Sequence, residues 1–343
     1  MKISICVPTY NRARHLANCL NSLKASAEGG VVDFEVCISD NASTDDTQEV
    51  VRRAQAVLPI KYRRNAENLG ISRNFLKVVE MAEGEFVWLV GDDDLIVPTA
   101  LVRLSRLIDE NPRVDFYYVN AFHLTTEYVL SCKQPFDTRD LPRHLQRFSD
   151  WQKSGELPFL SLISPKVSFD FLGGMFLSVF RRKNWIENSE ALDPSAVIDS
   201  RTFSHFDNTF PHVRIFSRAF ARSQAYFNAD PLIVCLTGAR EWAPKYPLVR
   251  SVRLIEALQA YRSAGLPLLT YLHCRNFALA HFLPDVLRMW LRRPESGVEH
   301  ISLPRVIFAN MIYPNFYLSP IIDKWRRIQS HRAKVDYATH RAD

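Results

Sequence analysis

No stretch of this 343-residue chain reaches the roughly 18 uninterrupted apolar residues of a membrane span. The opening apolar run, Ile3-Ser4-Ile5-Cys6-Val7, is also too short for a signal peptide. The six cysteines (Cys6, Cys19, Cys37, Cys132, Cys235 and Cys274) fall at no metal-ligand spacing, and two of them lie inside predicted buried strands. They read as reduced core thiols, which places the chain in a reducing cytoplasm. No Gly-Lys-Ser/Thr element is present, which excludes a P-loop NTPase. The loop after the first strand, Pro8-Thr9-Tyr10-Asn11, has no glycine, which argues against a sugar nucleotidyltransferase, whose phosphate loop needs one there together with a basic residue. An aspartyl-nucleophile phosphatase would need its acids after that first strand, and there is no internal repeat.

What is present is ordinary for a globular protein. Hydrophobic residues make up 47% and charged ones 23%, which excludes a disordered or collagen-like chain. The stretch around which the rest is arranged is Glu85 to Pro98. Phe86-Val87-Trp88-Leu89-Val90 reads as a strand buried on both faces, and it runs straight into Asp92-Asp93-Asp94. In an open α/β sheet the carboxyl edge of the strands is where ligands bind. Three like charges held there repel one another unless a cation such as Mg²⁺ or Mn²⁺ neutralises them. The other reading is a polar loop in which Asp94 or Thr99 caps the helix opened by Pro98.

In chain order, strands are expected over Ile3 to Val7, Phe34 to Ser39, Ile60 to Arg64, Phe86 to Val90 and Val114 to Val119. Helices alternate with them, one carrying Leu16, Leu20 and Leu23, one running from Ser43 to about Val57, one from Ile71 to Ala82 and one from Pro98 to Glu110. Such alternation predicts a parallel, doubly wound sheet with right-handed crossovers. Beyond Asn120 the pattern loosens, and residues 125–170 read as a variable insertion. A strand over Met175 to Phe180, a helix opened by Arg181-Arg182-Lys183, a helix over His205 to Phe216, and short strands over Gln224 to Phe227 and Leu232 to Leu236 follow. Past Glu241 the chain becomes helical, over Val252 to Tyr261, Leu268 to Leu291 and Arg305 to Ile312.

Three strand-end loops converge on one edge in this arrangement: Thr9 to Arg12, Asp40 to Asp46 and Gly91 to Asp94. A nucleotide bound there needs a wall for its base, a group to read the base's edge and a cation for its diphosphate. Tyr10, Asp40 with Asn41, and the aspartate run supply these in order.

At Ile5-Cys6-Val7-Pro8-Thr9-Tyr10-Asn11-Arg12, Ser39-Asp40-Asn41-Ala42-Ser43-Thr44-Asp45, Asn65-Ala66-Glu67-Asn68-Leu69-Gly70 and Gly91-Asp92-Asp93-Asp94, the sequence resembles the family 2 glycosyltransferases of GT-A fold. The Gly-Asp-Asp-Asp form and the later Pro231-Leu232-Ile233-Val234 segment look most like the abequosyltransferase-type O-antigen enzymes. The resemblance covers the first 120 residues well, the stretch to about 240 loosely and the tail hardly at all.

It implies an α/β, Rossmann-like, doubly wound and mostly parallel sheet with a C-terminal helical extension. The domains would be a GT-A domain over 1–240, its nucleotide half 1–120 and its acceptor half 121–240, followed by a basic helical extension over 241–343. It implies a nucleotide pocket built from Pro8, Thr9, Tyr10, Asn11 and Arg12, with Asn41 and Asp92 beside them and Asp40 hydrogen-bonded to the base. Asn68 and Gly70 would shape the wall near the ribose and diphosphate. The commoner family pattern is Asp-X-Asp-Asp, and Gly91 stands where its first Asp belongs. Asp93 is then the direct contact to Mn²⁺ or Mg²⁺, assisted by Asp92 or Asp94, with the metal held more loosely or partly through water.

The activity implied is metal-dependent, inverting transfer of a sugar from a UDP, CDP, dTDP or GDP donor to a glycan, lipid-linked, in a surface-polysaccharide or O-antigen precursor. Inversion needs a base to take the acceptor's proton. Asp207, in Ser204-His205-Phe206-Asp207-Asn208, is the first choice, with His212 and Asp199 as substitutes. The alternatives are a sugar nucleotidyltransferase, or a non-catalytic nucleotide-sugar-binding scaffold, which the missing acid at Gly91 favours.

From Arg240 onward there are 16 Lys and Arg against 8 Asp and Glu, so the basic character of a chain with net charge +6 belongs to its tail. Leu283, Leu287, Trp290 and Leu291 beside Arg288, Arg292 and Arg293 read as an amphipathic helix, and Trp325-Arg326-Arg327 repeats that chemistry. The partner expected is an anionic membrane at the inner face of the cytoplasmic membrane, with packing onto the catalytic domain as the other reading. Nucleic acid is not an expected partner.

Overall fold

A computed structural model of the chain describes residues 2–238 and 242–339. The chain divides into two compact units, Met1–Thr202 with Asp207–Arg240, and Phe203–Phe206 with Glu241–Asp343. The boundary expected at residues 240 and 241 lies outside the described residues.

The first unit opens with β1 (Ile3–Thr9), α1 (Ala13–Ser26), β2 (Phe34–Asp40), α2 (Thr47–Ala54), β3 (Ile60–Arg64), α3 (Ile71–Glu80) and β4 (Phe86–Leu89). β1 and β4 are buried along their whole length, as continuous apolar runs require when both faces of a parallel sheet are covered. β1 pairs in parallel with β2 and β4, and β2 pairs in parallel with β3. Pro8 is tolerated inside β1 because its side of the ladder faces β4, which ends beside Cys6, where Val90 donates to the Cys6 carbonyl.

The chain continues through β5 (Leu95–Ile96), α4 (Ala100–Glu110), β6 (Phe116–Thr125), β7 (Gly155–Pro158), β8 (Ser178–Arg181) and β9 (Gln224–Thr237). The nine strands form one sheet in the order β3-β2-β1-β4-β8-β6-β9-β5, with β7 added on β9. The doubly wound half is as expected. The other half differs, because β8 enters antiparallel between β4 and β6. The two short late strands of the sequence reading are one strand. β9 pairs with β6 on both sides of a bulge between Val119 and Ala121, and Asp230 and Pro231 occupy the irregularity.

Aromatic rings fill the core behind this half. Phe116 meets Phe159 and Phe216 edge-on at 4.9 and 5.0 Å, and Phe180 stacks on Trp185 at 4.8 Å. The helix expected over His205 to Phe216 begins only at Pro211 and runs to Ala219, which leaves Asp207 in the irregular segment before it.

The second unit is helical. The single helix expected over Leu268 to Leu291 is two, Leu268–Ala278 and Phe282–Leu291, joined by a tight 3-10 turn. Pro284 explains the break, since its ring collides with the carbonyl four residues back. The expected helical extension ends in a 26-residue helix, Pro314–Thr339, whose bounds the sequence did not mark. It buries Phe316, Ser319 and Asp323 on one side and exposes Tyr317, Leu318, Ile321 and Trp325 on the other, so no single apolar stripe marks it. Among the described residues no helix is long and apolar enough to cross a membrane, and none of the six cysteines is in a disulfide.

Candidate active site

The carboxyl ends of β1, β2 and β4 lie side by side. Thr9 pairs with Asp40, and Asn41 donates its N–H to the Thr9 carbonyl at 2.9 Å. The loops beyond are stitched together through Asn11, whose backbone is left-handed at φ 51°. Asn11 donates its N–H to Ser43 Oγ at 2.9 Å and accepts the Thr44 N–H on Oδ1 at 2.7 Å. Tyr10 stands out from this junction, 39% exposed.

The aspartate run forms the tight turn between β4 and β5, closed by the Asp94 N–H on the Gly91 carbonyl at 3.1 Å. Thr9 Oγ1 donates to Asp92 Oδ2 at 2.8 Å. One nitrogen of Arg12, Nη1, lies 3.3 Å from Asp92 and 3.1 Å from Asp93. The first loop thus supplies both a hydrogen bond and a counter-charge to the acids. Asp94 is used differently. It is buried, and its Oδ2 accepts the Gly91 N–H at 3.1 Å, so it caps its own turn.

Gly91 has a steric reason to lack a side chain. A Cβ there would meet Asp94 Oδ2 at 2.8 Å and Asp93 Oδ1 at 2.9 Å. The volume that the family's first aspartate would need holds the carboxylates of the next two.

Among the described residues no three His, Cys, Asp or Glu side chains converge as a metal cluster. Asp92 and Asp93 nevertheless fit a Mg²⁺ or Mn²⁺ site of the kind that takes one or two carboxylates and completes its shell with substrate phosphates and water. Burial, reinforced by the charge of Asp93 and opposed by Arg12 and Thr9, pushes the Asp92 carboxyl up to about 7. The folded chain therefore holds a proton that the unfolded chain releases near the ordinary carboxylate value, and stability falls as pH rises through that interval. The thermal midpoint of the ligand-free protein is expected to drop between about pH 4 and 7, with Asp92→Asn flattening the slope. A scan of melting against pH checks it.

Asp40 sits differently from the expectation that it reads the base. It is fully buried, Oδ1 accepts the Ser43 N–H at 2.8 Å, and Oδ2 accepts the Tyr62 hydroxyl at 2.6 Å. One of its oxygens holds the loop after β2 and the other holds Tyr62 on β3. Asn41 joins the second loop to the third. Its Nδ2 donates to Asn68 Oδ1 at 2.7 Å and to the Gly70 carbonyl at 3.3 Å, and its Oδ1 accepts the Leu69 N–H at 2.8 Å. Gly70 leads α3 with φ 83°, a conformation that favours glycine.

Sequence reasoning missed Asn74. It is buried on α3, where its Nδ2 donates to the carbonyls of Ser39 and Thr9 and its Oδ1 accepts Ser39 Oγ and Asn65 Nδ2. The signal available was one amide among Ile71, Phe75, Val78 and Val79 on an otherwise apolar helical stripe.

The three base candidates part company. Asp207 is buried, accepting Arg214 Nε at 2.8 Å on Oδ1 and the Asp193 N–H at 2.8 Å on Oδ2. Its neighbour Asn208 receives a hydrogen bond from Ser72 Oγ on its carbonyl, which brings this segment to the start of α3. Asp199 pairs with Arg201 and lines a small cleft with Gly70, Ile71 and Ser72. His212 does not fit the substitute role. Its Nε2 is 3.2 and 3.1 Å from the carbonyls of Leu172 and Gly173, its Nδ1 is sealed from solvent, and burial pulls it down to about 4. It is a neutral imidazole packed between Phe210 and Phe216.

A parallel half-sheet with acids at the carboxyl end of its central strand, stitched to three neighbouring loops, is the architecture of a GT-A glycosyltransferase. The chain belongs to the family described as Glycosyl transferase family 2, whose model matches residues 4–167. Abequosyltransferase RfbV of Salmonella typhimurium is 31% identical over 304 residues, covering 85% of this chain and 82% of that protein. Poly(ribitol-phosphate) β-N-acetylglucosaminyltransferase TarS of Staphylococcus aureus is 37% identical over 114 residues, covering 32% of this chain and 19% of TarS. The crystal structure of S. aureus TarS 1–349 in complex with UDP has a TM-score of 0.55 at 19% identity, covering 97% of this chain and 92% of that one. The shared fold is thereby shown, and the chain is a glycosyltransferase.

Proposed function

We propose that this enzyme moves a sugar from a nucleotide-sugar donor to a glycan of a surface-polysaccharide or O-antigen precursor carried on a lipid. The observation that carries the reading is the joined set of strand-end loops, Thr9–Arg12 bonded to Asp92 and Asp93, with Asn41 tying in Asn68 and Gly70. The 31% identity to an abequosyltransferase over 85% of the chain supports the same reading. Residues 1–120 then form the nucleotide half and 121–240 the acceptor half. Tyr10 is assigned to the base and Thr9 and Arg12 to the diphosphate side. Because Asp40 is engaged internally, its part is to hold the loop that presents Asn41.

Asp92 and Asp93 would hold Mn²⁺ or Mg²⁺, which when bound supplies charge neutralisation to the departing nucleoside diphosphate. Transfer proceeds with inversion. The acceptor oxygen bonds to the anomeric carbon, its proton passes to a carboxylate, and the bond from the anomeric carbon to the diphosphate oxygen breaks. We assign that carboxylate to Asp207, whose segment reaches the start of α3 and whose Oδ1 would take the acceptor's proton once the acceptor displaces Arg214 from it. Asp207→Asn should lose turnover and keep donor binding, and if Asp199→Asn alone does so the role passes to Asp199.

A thermal-shift screen of UDP, GDP, CDP, dTDP and their common sugar conjugates, with and without Mn²⁺, tests the donor assignment. Ligand at about 100 times its dissociation constant adds roughly 2.7 kcal/mol, a shift of some degrees. One nucleotide with a Mn²⁺-dependent shift names the donor class. Silence across the panel, with no turnover of labelled donor, sinks the reading in favour of a non-catalytic scaffold.

The helical unit supports contact with an anionic membrane. Leu287, Trp290 and Leu291 are exposed beside exposed Arg292 and Arg293. Tyr317, Ile321, Trp325 and Ile328 recur at helical spacing on the face opposite buried Phe316 and Asp323. Flotation with phosphatidylglycerol vesicles should carry the protein up, phosphatidylcholine vesicles should not, and Trp290→Ser with Trp325→Ser should abolish it. Equal behaviour with both lipids would reject an anionic docking face.

A further inference from the structure

A groove of about 680 Å³ opens beside the end of β6, between the Gln146–Trp151 segment and the Pro165–Phe169 segment. It opens on the same edge as the acids, because β4 and β6 are each antiparallel to β8 between them and so run in one direction. The two places are also in contact through the core. Trp88 Nε1, just before the acid turn, donates to the Phe176 carbonyl at 2.8 Å, and Phe176 meets Phe148 edge-on at 5.7 Å.

The wall of the groove is a ladder of rings. His123 stacks on Phe148 at 5.0 Å, and Phe148 stacks on Phe169 at 4.8 Å. Phe169 is 45% exposed, and Trp151 on the facing segment is 38% exposed. Rings left in water cost free energy, and a patch of them rimmed by polar groups marks a binding surface. The rim here holds the exposed side chains of Gln146, Asp150 and Lys166.

The platform is built in advance of any ligand. Asn120, fully buried at the β6 bulge, donates from Nδ2 to the carbonyls of Ser149 and Ala229 at 2.8 and 3.0 Å and accepts the Ser149 N–H on Oδ1 at 2.9 Å. The Phe148 N–H reaches the Ala121 carbonyl at 2.7 Å, and the His123 N–H reaches the Gln146 carbonyl at 2.8 Å. A bulge used in this way re-aims a segment toward a site. The cost of ordering the loop has been met by folding rather than by binding.

We propose that this groove is an acceptor subsite that takes a pyranose ring of the glycan. A pyranose has an apolar C–H face and a rim of hydroxyls. The first packs on the rings of Trp151 and Phe169, and the second bonds to the amide, carboxylate and ammonium of Gln146, Asp150 and Lys166. A lipid chain would strand those polar groups without partners, so it fits the groove less well. The inference rests on the glycosyltransfer reading and gives its acceptor a place.

Saturation-transfer NMR with the methyl glycosides of mannose, galactose, glucose, rhamnose and N-acetylglucosamine, each at millimolar concentration, tests it on the full chain. Wild type is expected to transfer saturation to ring protons of at least one glycoside. Trp151→Ala and Phe169→Ala should each weaken that signal at least about five-fold, and Trp151→Phe, which keeps a ring, should retain most of it. Signals from UDP, GDP, CDP and dTDP should be the same in all of these variants. The proposal is overturned if no glycoside responds, or if the response survives both alanine variants. If glycosides bind as expected and no nucleotide does, the groove stands and the donor reading fails.

Discussion

Asp93→Ala is expected to lower turnover of the labelled donor at least about a hundred-fold and to abolish any Mn²⁺-dependent thermal shift, without lowering the midpoint of the ligand-free protein. The two halves of this expectation have one origin. Asp93 shares Arg12 with Asp92 and is one of the charges that keep Asp92 protonated. On the proposed function its removal would take away a ligand when metal and diphosphate are bound, and would relieve repulsion when they are not. Asp94→Ala should behave in the opposite way, lowering the midpoint because the Gly91 N–H loses its acceptor inside the turn. Steady-state turnover and melting of the two variants, side by side, separate a ligand from a structural acid. Equal losses of turnover with equal losses of stability would mean that the run acts only as a turn.

Asp285→Ala should cost the helical unit about 3 kcal/mol or more. Asp285 is fully buried and gathers Arg250 at 2.7 and 3.0 Å, Ser251 Oγ at 2.6 Å and Arg288 at 2.6 Å. Without it Arg250 loses the carboxylate it pairs with, Arg288 keeps only Asp323, and a hydroxyl loses its partner. Breaking such a cluster from one side costs more than the cluster contributes, because the remaining charges stay where they are. Urea unfolding should show a lower midpoint with an unchanged slope. A midpoint within the error of wild type would place the stability of this unit in its apolar contacts alone.

How far these places were legible in the sequence follows from the range of each interaction. β1 and β4 announce themselves, since a strand covered on both faces must be apolar throughout, and the loops at their ends are fixed in sequence beside them. The convergence of Thr9 and Asp92 followed from parallel order alone. β8 could not be read in this way. Its insertion between β4 and β6 pairs Ser178–Arg181 with partners far away in sequence, and local periodicity carries no record of which edge a strand will find.

Asp40 was visible as an acid at a strand end, but its occupation by Tyr62 depends on the register of β3. The family resemblance directed the side chain to the base, and the structure turns it to Ser43 and Tyr62 instead. The bounds of the helix Pro314–Thr339 within the expected helical extension were hidden for a compositional reason. Apolar residues lie on both its buried and its exposed sides, so the alternation that betrays a helix is cancelled.

The crowding at Gly91 bears on how this sequence can drift. A glycine codon is one base change from an aspartate codon, so the commoner acid pattern of the family is mutationally adjacent. Structurally it has consequences, since the new side chain would enter space held by two carboxylates already committed to the turn and to Arg12. The substitution would require the carboxylates of Asp93 and Asp94 to turn aside, which couples position 91 to its neighbours. An acid at position 91 would thus bring its own charge and also reset the two acids that follow it.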